Sequence, residues 1–141
     1  MSETDRVRVV GAGEAYVGRQ GFTFQTGVCA ETVGPTRICM TLLPMPHGAQ
    51  ARAHYHQGID TIAYLLEGRC TVYYGDSLQH VVSVEAGQQI FIPADVVHAP
   101  ANTSGAQCTC LVVHSSGHDQ DGIVLLPELD ELLAERLHQT A

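Results

Sequence analysis

The sequence predicts an all-β fold, a sandwich or barrel, finished by one C-terminal helix. From Arg6 to about Val113, short runs rich in Val, Ile, Thr, Tyr and Leu are broken every eight to twelve residues by Gly, Pro, Asp or Asn. That cadence belongs to sandwiches and barrels rather than to βαβ units. Pro44, Pro46, Pro93 and Pro100 stand at the ends of these runs, where a missing N–H does least damage to a sheet. Only near the C-terminus does the apolar period change: leucines at 129, 132, 133 and 137 form a one-sided helical stripe.

Taken in order, residues 6–10 alternate charged and apolar side chains and read as a first strand, 37–43 as a second and 62–66 as a third. Residues 70–74 run to a Gly75-Asp76 turn, after which 80–84 returns as the other arm of a hairpin. Residues 89–92 end at Pro93, and 107–114 form the last strand. The helix is expected over about 127–138. Pro127 suits its first turn, acids cluster early, and Arg136 and His138 lie at the end where the helix dipole favours cations. The expected organisation is a single domain over 1–141, with the barrel over about 6–114 and the helix laid over an open end or over a partner.

The chain carries 7 basic and 15 acidic residues, a formal net charge of −8. Scattered cations argue against nucleic acid, which is bound by a basic face that displaces counterions from phosphates, and against an anionic membrane surface. No apolar run approaches a membrane span, and Met1-Ser2-Glu3-Thr4-Asp5 lacks the basic-then-apolar layout of a signal peptide. A cytoplasmic protein is expected. Its five cysteines, at 29, 39, 70, 108 and 110, are odd in number and widely spaced, and so read as buried free thiols rather than a disulfide framework.

Chemistry concentrates in histidine, of which there are eight. His54-Tyr55-His56 places two imidazoles on one face of an extended segment, because side chains alternate with period two, and two such rings can grip one ion. His98 follows the 89–92 run, where a strand paired with the first segment would bring it alongside. A lone strand histidine is usually structural, and His47, His80, His118 and His138 read as surface or loop residues. His114 ends the last strand and would line the interior if its parity is inward.

These residues resemble the motifs of the cupin superfamily. Gly48, five residues, His54-Tyr55-His56 and then Gly68 are similar to the first motif. Gly87, five residues, Pro93, His98, three residues and Asn102 are similar to the second, with Asp95 where the motif has its middle Gly. The resemblance implies a jelly-roll-type cupin β-barrel with a divalent ion, Fe(II), Zn, Ni or Mn, held by His54, His56 and His98. A typical cupin adds a Glu from the first motif, which is missing here. Counting forward from His56, its place falls on Asp60; counting back from Gly68, on Thr61. Alternation lets only one of them face inward. The reading leans to Asp60 as a fourth ligand, which would put Tyr64 on the same face as a substrate contact.

Three neutral imidazoles would leave the full charge on such an ion, where a carboxylate would remove one unit of it. Apolar residues near the motifs suit a small hydrophobic, enolisable or aromatic compound. The resemblance thus implies a metal-dependent enzyme, with dioxygenase chemistry leading. A non-redox cyclase or isomerase of the polyketide-cyclase kind comes second, and a non-catalytic ligand-binding cupin third. A homodimer is expected, with residues 6–10 and the Leu-striped helix as candidate interface elements.

Overall fold

In the computed structural model, which describes residue 2 and residues 5–140 (Thr140 by its backbone alone), eleven strands form two antiparallel sheets. The strands are β1 (Ala15–Val17), β2 (Thr23–Thr26), β3 (Cys39–Met45), β4 (His54–His56), β5 (Thr61–Glu67) and β6 (Arg69–Tyr74). They continue as β7 (His80–Glu85), β8 (Gln89–Ile92), β9 (His98–Ala101), β10 (Cys108–His114) and β11 (Ile123–Leu125). One sheet has the order β1-β2-β3-β10-β5-β8 and the other β11-β4-β9-β6-β7. Two helices complete the chain, α1 (Ala30–Val33) and α2 (Asp130–Thr140), the second entered through a 3-10 turn over Pro127–Leu129. Among the described residues no helix is long and apolar enough to cross a membrane.

Alternation explains the layers. On β6, Val72 faces the other sheet; on β5, Leu65; on β3, Leu43 and Met45. With Phe22, Phe24 and Val112 they form the buried core between the sheets. The opposite parity of the five-stranded sheet, Tyr73 and Ala99, with Ala53 just ahead of β4, meets Leu133 of α2, with Leu129 and Leu137 packed alongside. The leucine stripe is therefore taken up by the chain's own sheet, over the outer face of the barrel rather than an open end. All five cysteines are free and buried, and burial pushes the Cys39 and Cys110 thiols up to about 12, which keeps them protonated and unreactive.

The runs at 70–74, 80–84 and 89–92 are strands as expected, and those at 37–43, 62–66 and 107–114 are shifted or extended by a residue or two. Residues 6–10 are not a strand: Val7 and Val9 are 98% and 96% exposed, and the first ladder starts at Ala15. Alternation there lacks a neighbouring strand to satisfy its backbone. The barrel also extends beyond 114, since β11 pairs with β4.

The two motifs are stitched together at their ends. Gly48 N–H donates to the Asn102 carbonyl at 3.0 Å, and Asn102 N–H to the Ala49 carbonyl at 2.8 Å. The Asn102 side chain, 1% exposed, donates to the Met45 and Ala106 carbonyls at 2.8 and 2.6 Å, and accepts from Ser104 Oγ at 2.7 Å. Asn102→Ala strands the buried Met45 carbonyl and frees the Ala106 carbonyl of an exposed residue, and should cost about 1–3 kcal/mol, read as a lower urea midpoint at unchanged slope; an unchanged midpoint would remove this role. Gly68 holds φ +79°, and a Cβ there would meet the Gln107 carbonyl oxygen at 2.5 Å. Asp95 also has positive φ, 68°, the region glycine enters freely and Asp tolerates. Its carboxylate accepts from Gly58 N–H at 2.9 Å, which ties the turn before His98 to the loop after His56.

Candidate metal centre

His54 and His56 share the inner face of β4, and His98 sits opposite His54 in the β4–β9 ladder. The three rings are 2%, 4% and 3% exposed. One nitrogen from each lies within 4.8 Å of the others, close enough for a single ion to bridge them.

Backbone carbonyls set two of the tautomers. His54 Nδ1–H donates to the Arg52 carbonyl at 2.6 Å, and His98 Nδ1–H to the Val96 carbonyl at 2.9 Å. The Nε2 lone pair of each ring is thereby left for the cluster, as ligating histidines require. His56 Nδ1 is buried without a hydrogen bond; the Asp121 main chain is near enough to raise its basicity slightly but is out of hydrogen-bonding geometry. Burial, reinforced by His98, pulls the His54 pKa down to about 3, and burial with His114 and His54 does the same for His56. Burial brings His98 to about 4. All three are neutral at pH 7 and keep lone pairs available. A buried trio of neutral nitrogens, one without a partner, fits a divalent ion of borderline softness.

The position after His-X-His belongs to Thr61, not Asp60. Thr61 opens β5 facing inward, 5% exposed, while Asp60 is exposed and its carboxylate accepts from Ala94 N–H at 2.9 Å. Asp60 N–H is held by Ser115 Oγ at 2.9 Å, so both ends of the residue are spent outside the cavity. The same parity corrects the reading of Tyr64: with Thr61, Ala63 and Leu65 inside, Tyr64 stands on the outer face, 41% exposed, and does not reach a substrate in the barrel.

His114 does face inward. It is 2% exposed, and its ring centroid lies 4.7 Å from that of His56. Its Nδ1 is 2.8 Å from Thr61 Oγ1, and its Nε2 is 3.1 Å from Asp119 Oδ1, an ion-pair distance without good hydrogen-bond alignment. Asp119 is buried and accepts from Tyr16 Oη at 2.6 Å and Gln120 Nε2 at 2.8 Å. Burial opposes its charge, but His114, Tyr16 and Gln120 outweigh it and hold the carboxyl below its ordinary value. Neither Asp119 nor Gln20, a buried side chain on the cavity wall, carries any local sequence signal.

The cluster lines a cavity of about 70 Å³. Phe22, Phe24, Leu43, Met45 and Val72 are among its walls; among the described residues, its polar side chains apart from the four histidines are Gln20 and Thr61, and no Lys or Arg lines it.

The family model described as a Cupin domain matches residues 41–114, just over half of the sequence. The chain belongs to the cupin family. Among curated proteins there is no match. Solved structures place this cupin beside an oxalate oxidase in complex with glycolate (19% identity, TM-score 0.66, 90% of this chain and 65% of that one). A mutant of Bacillus subtilis oxalate decarboxylase gives 18% identity and a TM-score of 0.66, over 80% of this chain and 30% of that one. A Thermus thermophilus protein gives 27% identity and a TM-score of 0.52, over 60% and 78%. This cupin thus spans less than two thirds of the oxidase, and the likeness to both oxalate enzymes is one of fold.

Proposed function

We propose that this cupin is a metal-dependent enzyme acting on a small hydrophobic compound, enolisable or aromatic, with dioxygenation as the leading reaction. The observation that supports this most is the coincidence of three neutral, inward-facing imidazoles with a small apolar cavity free of Lys and Arg. A dianion such as oxalate would meet no Lys or Arg on the described walls, whereas a flat apolar molecule with one or two oxygens meets mostly hydrocarbon and a few polar groups.

His54, His56 and His98 would hold the ion, which supplies Lewis acidity and, where redox-active, access to dioxygen chemistry. The Arg52 and Val96 carbonyls keep His54 and His98 aimed at it. Phe22, Phe24 and Val72 exclude water, which strengthens every electrostatic interaction at the substrate oxygens. Gln20 and the Thr61 hydroxyl are the polar wall groups available to orient those oxygens. Because Thr61 stands where an acidic ligand would reduce the ion's charge, a purely electrophilic cyclisation or isomerisation is the second reading.

The test is oxygen uptake by iron-loaded protein offered 1,3-dicarbonyl compounds and catechols. One dioxygen consumed per substrate is expected. Equal turnover under nitrogen would move the assignment to the non-redox reading, and absence of turnover with any metal would leave a ligand-binding cupin.

A further inference from the structure

We propose that the substrate keeps its apolar body in a lateral cleft between β8 and the β6–β7 hairpin, and extends only its oxygen-bearing end past His98 to the histidine cluster. The inference rests on the reading that His54, His56 and His98 form the reacting end of the site. It narrows the substrate class to a neutral compound that carries a ring or branched alkyl group beyond its oxygens.

The sandwich is open along one side. β8 ends one sheet and β7 ends the other. Residues directly opposite across a ladder share a face. Thr61 and Ala63, which line the histidine cavity, therefore put their β8 partners Ile92 and Ile90 on the inner face, and the core residue Val72 does the same for its β7 partner Val82. Where the sandwich is closed, such a valine is buried, as Val84 is at 6%; Val82, two residues earlier on the same face, is 39% exposed. Between these two edges lies a cleft of about 300 Å³, whose walls run from Val82 and Phe91, both exposed, down to the buried Val72 and His98.

Size and continuity name the occupant. The histidine cavity, about 70 Å³, is smaller than the roughly 150 Å³ void that admits benzene and far below the roughly 300–1,000 Å³ of an ordinary ligand pocket. An aromatic compound does not fit inside it whole. The cleft supplies the missing space, because Val72, Ile90, Ile92 and His98 are walls of both. Among the described residues His98 is the one cluster ring that lines both spaces, so a molecule lying across the shared walls has its body in the cleft and its far end at the imidazoles. No Asp, Glu, Lys or Arg among the described residues lines the cleft, and its polar side chains are His98 and Tyr74. Nothing there compensates the desolvation of a charged group, whereas a hydrocarbon group gains by leaving water.

The experiment measures binding of catechol and of 4-tert-butylcatechol to full-length Zn(II)-loaded protein by calorimetry under nitrogen, with zinc content and sedimentation recorded for each variant. Each buried carbon adds about three- to fourfold in affinity, so wild type should bind the butyl compound at least about tenfold more tightly. Val82→Lys and Phe91→Ala, both at exposed positions that a fold tolerates, should bring the ratio of the two affinities back toward one with zinc content unchanged. Equal affinities in the wild type, or a ratio that survives both variants, would overturn the cleft; the histidine reading then still stands if His54→Ala loses both compounds. A ratio erased by Val82→Lys, with binding indifferent to His54→Ala, would overturn the extension to the cluster. If wild type binds neither compound, both readings fall. A wild-type dimer that Val82→Lys dissociates without changing the ratio would make the cleft an interface between copies and overturn the proposal.

Discussion

His54→Ala protein, purified without chelator, is expected to contain no bound transition metal, where the wild type contains about one ion per chain. The side chain removed is buried, neutral and aimed by the Arg52 carbonyl, and its ring is the closest to His98, at 4.3 Å between centroids. A metal bound through several protein nitrogens gains several kcal/mol from each, so loss of one should weaken binding roughly a hundredfold or more. Elemental analysis with a dialysis control reads this directly. Retention of a full equivalent of metal by both His54→Ala and His98→Ala would place the ion elsewhere.

Acid should unfold the metal-free protein well before it unfolds an ordinary domain of this size. The three clustered imidazoles have folded-state pKa values of about 3, 3 and 4, against about 6.5 in an unfolded chain. Between those values the unfolded state binds more protons, so stability is intact above about pH 6.5 and falls as pH drops toward 4. At pH 5 each imidazole that stays neutral costs about 2 kcal/mol, a large share of a typical domain's margin of about 5–15 kcal/mol when three act together. Urea unfolding of apoprotein at pH 7.5 and 5.0 tests this: a clearly lower midpoint is expected at pH 5.0, and equal midpoints would contradict it. Bound metal should protect, since it holds the same lone pairs against protons.

The sequence made the sheets legible where strands are long and alternate, because such runs have both a buried parity and a neighbour. Residues 6–10 show the limit: alternation without a partner strand leaves Val7 and Val9 in solvent. The short β1 and β2 went unread because three or four residues among glycines carry no period. At the site, period two fixes His54 and His56 on one face, and it is the resemblance to the second cupin motif that joins His98 to them. The choice between Asp60 and Thr61 went wrong because it weighed which residue could ligate; parity counted from Gly68 was the better guide, and it also settles Tyr64. His114 could be flagged but not placed, since its parity depends on the β10–β5 register. Asp119 was invisible, because a loop residue acquires meaning only when the fold sets it behind a histidine.

The pairing of His54 with His98 across the β4–β9 ladder also orders events in time. During synthesis the His54-Tyr55-His56 pair emerges early and can offer an ion only two nitrogens. The third waits until the chain has passed through β5 to β8 and turned back. Under the proposed function, tight metal capture is thus an event of late folding, and the chain's affinity for an ion becomes a gauge of how far the barrel has closed.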